Sequence, residues 1–535
     1  MSSRLLIVGL DGASFDGLTP LCERGVMPTL TRLVEQGVSG PLESVVPPIT
    51  PAAWASFLTG KSPGRHGIFD FRVYDPRSYR DSFVSRRNLH DATIWDALAA
   101  AGRRAAVLNM PMMYPPPRGP VTVVSGFDTP STAAAFTHPP ALRDRILETF
   151  PDYDFVAEPD PSDPDLRDDE KFRSFIAAID RSLEHRTRVA EMILDDEPLD
   201  VMAVHFQDVD ALQHKAWREI VDPTADAARR AAVTGVFGRL DACLARLLQA
   251  AGPQAQVLVV SDHGFGDHRG RIYPNVLLER WGYLSWPGRR RARLERSLRK
   301  RLRRVGLLGP RESNDWFERI RTEGVERALP VRWDRTRAYV ALAEIHALLY
   351  LNLKGREPEG VVEPGAEADA LRQEIIDRFA GVRDAATDRP LFDAVLAGSE
   401  VYPQDPRGVR PDVVLIPSSG YTIYRSLNPR RWIERYDISG GTHRSTGILI
   451  AAGPGIQPGR VSGNLVDLAP TILACAGTPI PDDLDGRVLT EIFATPPTIT
   501  FGPPPPSSDA GHTDELDQDE EAQVRERLRA LGYMT

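Results

Sequence analysis

Cysteine is scarce in this sequence: Cys22, Cys243 and Cys475 are the only three among 535 residues. Thiols so few and so scattered build neither a disulfide framework nor a CxxC metal site. They suit a reducing compartment, so the expected location is the cytoplasm. Basic charge is not in excess either. Lys+Arg 65 against Asp+Glu 74 leaves a net charge of −9, which argues against a dedicated nucleic-acid-binding chain. No run approaches the roughly 18 uninterrupted apolar residues of a membrane span. The apolar run at 5–10, preceded by Arg4 alone, is too short for a signal-peptide core and reads as a buried strand; a soluble chain with no transmembrane segment is expected. Hydrophobic residues at 42% and charged residues at 26% are ordinary globular usage, which excludes wholesale disorder and fibrous repeats.

Short apolar runs at 5–10, 105–108, 201–204, 256–260, 412–416 and 448–452 alternate with helical patterns at 28–36, 93–101, 171–194, 226–250 and 467–476. This alternation predicts an α/β fold, a mainly parallel central sheet with helices on both faces. It breaks over 289–401, which reads as an inserted, cap-like region between a core of 1–288 and its continuation at 402–495. The remainder, 496–535, is a Pro-rich and then acidic tail, expected to be flexible, with a docking helix near 523–531. Residues 289–304 are dense in Arg and Lys, yet Leu294, Leu298, Leu302 and Val305 recur at helical spacing. A solvated amphipathic helix is the first reading of that segment, and contact with an anionic partner is the second.

Active sites of such sheets lie beyond the carboxyl ends of the strands, and three apolar runs stop at residues with chemistry. Asp11 follows the first, before Gly12. Asp210 and His214, four apart on a helix that follows a strand, face the same way and suit a divalent metal. Asp208, close by, is an alternative carboxylate or a supporting one. Asp262 and His263 follow the strongest β run, and His443 follows two glycines that allow close approach to a site.

These residues, in this order, resemble the nucleotide pyrophosphatase/phosphodiesterase group of the alkaline-phosphatase superfamily. The resemblance is carried by Ile7-Val8-Gly9-Leu10-Asp11-Gly12, Pro47-Pro48-Ile49-Thr50, Thr59-Gly60, His66-Gly67-Ile68, residues 210–214, Ser261-Asp262-His263-Gly264-Phe265 and Gly441-Thr442-His443. Asn352-Leu353-Lys354-Gly355-Arg356 and Asp485-Gly486 add to it. The resemblance implies an alkaline-phosphatase-like fold and two divalent metals, zinc by ligand type, with manganese or iron as alternatives. Asp11, Thr50, Asp262 and His263 would hold one metal and Asp210, His214 and His443 the other. Thr50 would be the nucleophile, forming a phospho-threonine intermediate, since coordination lowers the pKa of a hydroxyl that is otherwise a poor nucleophile. The implied activity is hydrolysis of phosphodiester or pyrophosphate bonds, with nucleotide-type substrates first.

Two departures stand out. Animal relatives carry an Asn after their His-Gly-Ile segment that helps hold a phosphoryl oxygen; Phe71 stands at that place here, so backbone N–H groups over 51–55 are the expected substitute. Sulfatases need a Cys or Ser opening a C/S-x-P-x-R motif, and Thr50-Pro51-Ala52-Ala53-Trp54 has neither that residue nor the Arg. Trp54 is expected in the core rather than in a leaving-group pocket. His66, His90 and His205 are expected to be structural, His268, Arg269 and Arg271 to lie in a solvated loop, and Lys61 and Arg65 either to bind phosphate or to face water. The rival activities are a phosphomonoesterase or phosphonate hydrolase on the same metals, and a non-catalytic metal-bound scaffold that recruits an anionic partner.

Overall fold

The computed structural model describes residues 4–159, 163, 166–196, 198–286, 331–427, 431–436, 440–508 and 518–531. A ten-stranded sheet forms the centre, in the order Gly459–Arg460, Val38–Glu43, Thr446–Ala452, Gln256–Val260, Leu5–Leu10, Val201–Phe206, Ala105–Leu108, Val121–Val124 and Thr137–His138, with Gly463–Asn464 also paired to Val38–Glu43. The middle strands run parallel: Leu5–Leu10 lies between Val201–Phe206 and Gln256–Val260. Thr446–Ala452 pairs antiparallel with both of its neighbours.

Leu5–Leu10 is buried along its whole length because both sheet faces are covered, as near-continuous apolar strands require. Leu6, Val8 and Leu10 face one core, against helices that include Asp169–Asp196 and Ala227–Ala251. Leu5 and Ile7 face the other, against Thr50–Thr59, Ile94–Ala100 and Leu468–Cys475. Side chains alternate along a strand, so one short run joins both layers.

A third core belongs to a smaller antiparallel sheet, ordered Ala338–Ala343, Ala347–Leu351, Val413–Pro417 and Phe392–Ala397, packed with the helix Ala366–Ala380. The strand expected at 412–416 exists, but it pairs with Ala347–Leu351 and Phe392–Ala397 instead of joining the central sheet. The boundary expected at 402 therefore falls inside the smaller sheet; a short apolar run does not declare which sheet it completes. The basic run 289–304 lies outside the described residues.

The tail is tied down more than a flexible one would be. Phe501–Gly502 pairs with Ile480–Pro481, and the Ser508 N–H donates to Asp96 Oδ1 at 3.2 Å. The helix Gln518–Leu531 buries Val524, Leu528 and Leu531 in the first core. No helix among the described residues is long and apolar enough to cross a membrane.

Candidate active site

Three neighbouring strands end at the same edge of the sheet. Asp11 follows Leu5–Leu10, Asp262 and His263 follow Gln256–Val260, and the helix Asp208–Val221 opens directly beyond Val201–Phe206, bringing Asp210 and His214 to one face. Thr50 is the first residue of the helix Thr50–Thr59, where N–H groups have no partner within the helix. His443 arrives from far along the chain through an antiparallel pairing of Gly264–Asp267 with Gly441–Arg444, in a register that sets it opposite Phe265. Its two glycines are a steric necessity: a Cβ on Gly440 would lie 2.2 Å from the His214 carbonyl oxygen, and one on Gly441 2.4 Å from the Phe265 ring.

All seven residues converge. Asp11, Asp262 and His263 each offer one donor atom within 4.8 Å of the others, and so do Asp210, His263 and His443. His214 Nε2 is 3.1 Å from His443 Nε2 and 3.4 Å from Asp210 Oδ2. Thr50 Oγ1 is 3.5 Å from His263 Nε2, and the His263 and His443 rings stack at 3.6 Å. Backbone carbonyls set the tautomers: His263 Nδ1 donates to the Gly264 carbonyl and His443 Nδ1 to that of Pro48, each at 3.1 Å. The Nε2 lone pairs are thereby turned inward, as ligation requires.

The electrostatics ask for positive charge. Asp11 and Asp262 are fully buried, and burial first, then repulsion from neighbouring carboxylates, pushes both far above the usual carboxylate range. Asp11 Oδ1 and Asp262 Oδ2 have no hydrogen-bond partner. Their ion-pair neighbours among the described residues are histidines only, at 3.0 to 3.6 Å. Burial lowers His214 to about 3 and drives His263 well down, so both rings are neutral near pH 7. Buried unpaired carboxylate oxygens beside neutral imidazoles facing each other are unfavourable until a cation joins them, and the donor set fits two divalent ions.

Other sequence candidates have structural roles. Asp208 is paired with buried Arg186 and accepts from the Ala157 N–H, so it serves neither metal cluster. Phe71 is buried, packing edge-on to Phe127, and supplies no donor. Lys61 is engaged by Asp91 at 2.9 Å and Asp483 at 2.6 Å, and Arg65 by Asp485 at 2.7 Å. His66 is buried, bonded to Ser56 Oγ at 2.9 Å, whereas His90 is exposed.

Two side chains expected to be merely structural turn out to hold a site residue. Trp54 Nε1 donates to Asp11 Oδ2 at 3.1 Å, and His205 Nε2 lies 3.0 Å from the same oxygen, with His205 Nδ1 at 3.1 Å from the Asn109 carbonyl. Gly9 makes room for both, since a Cβ there would lie 2.8 Å from Trp54 and 2.9 Å from His205. One signal for this was present in the sequence: a histidine inside a strand that is otherwise wholly apolar.

Among curated proteins, none matches this chain. Among solved structures, phosphonoacetate hydrolase from Sinorhizobium meliloti 1021 matches with TM-scores of 0.54 in complex with phosphonoformate and 0.55 in complex with phosphonoacetate, at 18% and 17% identity. Each match covers 87% of this chain and 94% of that one. Human ectonucleotide pyrophosphatase / phosphodiesterase 5 matches at 13% identity with a TM-score of 0.49, over 89% of this chain and 95% of that one. The fold is thus alkaline-phosphatase-like. The family model for type I phosphodiesterase / nucleotide pyrophosphatase matches residues 5–445, a span that runs from the strand leading to Asp11 through His443. The chain carrying this cluster accordingly belongs to the type I phosphodiesterase / nucleotide pyrophosphatase family and is a phosphoryl hydrolase.

Proposed function

We propose that this hydrolase cleaves phosphodiester or pyrophosphate bonds of nucleotide-type substrates through a phospho-Thr50 intermediate, with two divalent metals held by Asp11, Thr50, Asp262 and His263 and by Asp210, His214 and His443. The observation that carries this reading is the convergence of those seven side chains at the opening of the helix Thr50–Thr59. Zinc is the first choice for carboxylate and imidazole donors, with manganese or iron as alternatives. Bound there, the metals would lower the pKa of the Thr50 hydroxyl and offset charge on the phosphoryl oxygens.

The chain's own groups do the rest. Thr50 Oγ forms the bond to phosphorus as the bond to the leaving oxygen breaks, and water later cleaves the Thr50 ester. The N–H groups that open the helix at Thr50, less the one Pro51 lacks, offer the phosphoryl oxygen the donors Phe71 cannot. The smaller sheet would act as the cap over this site, and the scarcity of cysteine favours the cytoplasm.

A second reading, phosphonate or phosphomonoester hydrolysis on the same centre, is prompted by the phosphonoacetate hydrolase neighbours. The test strips the metal, restores zinc or manganese, and measures turnover of mono- and bis-nitrophenyl phosphate. Metal-restored preference for the diester, lost in Thr50→Ala with folding retained, is the expected result. Monoester preference selects the second reading, and full activity in Thr50→Ala removes the proposed nucleophile.

A further inference from the structure

Beyond the hairpin that brings His263 and His443 together, the chain continues into Gly270–Ile272, the middle strand of a three-stranded sheet between Tyr421–Ile423 and Ile433–Arg435. Arg271 projects from it into an aromatic clamp, its guanidinium carbon 4.3 Å from the centre of the Tyr424 ring and 5.3 Å from that of Tyr436. The side chain is half-buried, and its Nε is buried without a hydrogen-bond partner. Glu434 stands opposite Arg271 in the strand register, but its Oε2 accepts from Tyr273 at 2.8 Å and Tyr436 at 3.3 Å, and it makes no ion pair with Arg271. Neighbouring arginines are engaged differently: Arg435 pairs with Asp384, Arg269 with Asp267 at 3.3 Å, and Arg444 bonds the Asp267 carbonyl at 2.6 Å.

The clamp is joined to the catalytic edge by the turn between the strands Ala338–Ala343 and Ala347–Leu351. In that turn Ile345 is buried in the first core along with Phe265 and Trp217, and the Glu344 carbonyl accepts the Ile423 N–H at 2.7 Å. Burial pushes the Glu344 carboxyl well above its usual range, with Asp70 and Asp210 adding to the rise and Arg271 opposing it. A half-buried guanidinium lying over two aromatic rings, with its Nε unpartnered, keeps N–H donors for an anion, and leaving a buried donor unpaired is costly.

We propose that Arg271, clamped between Tyr424 and Tyr436, binds a second, non-reacting anionic group of the substrate, so that the leaving group released beside Thr50 carries a phosphate or carboxylate of its own. This rests on the phosphohydrolase reading above and narrows its substrate class.

The test compares kcat/KM for ADP, whose second anion is a phosphate, and for phosphonoacetate, whose second anion is a carboxylate, each relative to bis-nitrophenyl phosphate, which has none. In metal-loaded Arg271→Gln the ratio should fall by roughly tenfold to a hundredfold, the loss expected for a charge-assisted hydrogen-bonded pair. Arg271→Lys, which keeps the charge but not the planar fork, should lose less, and it stands in if the glutamine variant does not fold. A fall for ADP alone identifies a phosphate, and a fall for phosphonoacetate alone a carboxylate. Unchanged ratios in both variants overturn the proposal while leaving the hydrolase intact. Should the metal-restored wild type turn over none of the three, the proposed nucleotide-type phosphodiester and pyrophosphate reading fails. Calorimetric binding of ADP and phosphonoacetate then decides the subsite, equal affinity in wild type and Arg271→Gln overturning it.

Discussion

Asp11 has one committed oxygen and one uncommitted. Oδ2 is held by Trp54 and His205, which aims Oδ1 toward His263 at 3.6 Å. Such outer partners orient a ligand without touching the ion, and their loss typically costs about 10- to 100-fold in metal affinity or activity. His205→Phe should therefore weaken metal binding by roughly that factor, measured by competition with a chromogenic chelator, with the fold retained by circular dichroism. Gly9→Ala should act on the same oxygen from behind. Its methyl would press on both Trp54 and His205, and overpacking of this kind costs about 1–3 kcal/mol, readable as a lower denaturation midpoint. Asp11, Asp262 and His443 could be singled out in the sequence because glycines or ends of apolar runs flank them. Trp54 could not, because an aromatic residue in an apolar context is usually core; His205 is conspicuous as the one polar residue of its strand, but only the shared Asp11 oxygen gives the two their further role.

Among elements, the C-terminal helix Gln518–Leu531 stands out because it is remote in sequence yet completes the first core. Arg527 fastens it, bonding the Phe127 carbonyl at 3.1 Å, that of Thr129, and Glu158 at 2.7 Å, while the Tyr114 hydroxyl donates to Glu520 at 3.0 Å. Leu528 is 2% exposed, so Leu528→Ala should destabilise the protein by about 2–5 kcal/mol, the range for a truncated core leucine, as measured by urea unfolding. A midpoint within error of wild type would mean the helix is dispensable. A docking helix near 523–531 was legible in the sequence, but the surface it covers was not. A helix face states that it must be buried, and the partner is set by where the chain returns.

At the scale of the whole molecule, the site gathers carboxylates that the sheet forces together, and among the described residues no lysine or arginine pairs with Asp11 or Asp262. Folding without metal must bear that repulsion, so stability and metal binding should be linked. Chelation should lower the melting temperature, and zinc or manganese at 100-fold excess over Kd should restore about 2.7 kcal/mol per occupied site. Scanning calorimetry with and without metal checks this, and a metal-independent melting temperature would count against the proposed ligand set.

The α/β alternation, the strand ends at Asp11 and Asp262 and the four-residue spacing of Asp210 and His214 are all local features, legible in the sequence as apolar runs that stop at polar residues and as helical spacing. Tertiary structure alone decided that Asp208 is paired with Arg186, that Val413–Pro417 completes the smaller sheet, and that His205 and Trp54 share one oxygen of Asp11. These outcomes depend on which distant segments meet. Local pattern records that a side chain must be buried or paired, and only the folded chain supplies its partner.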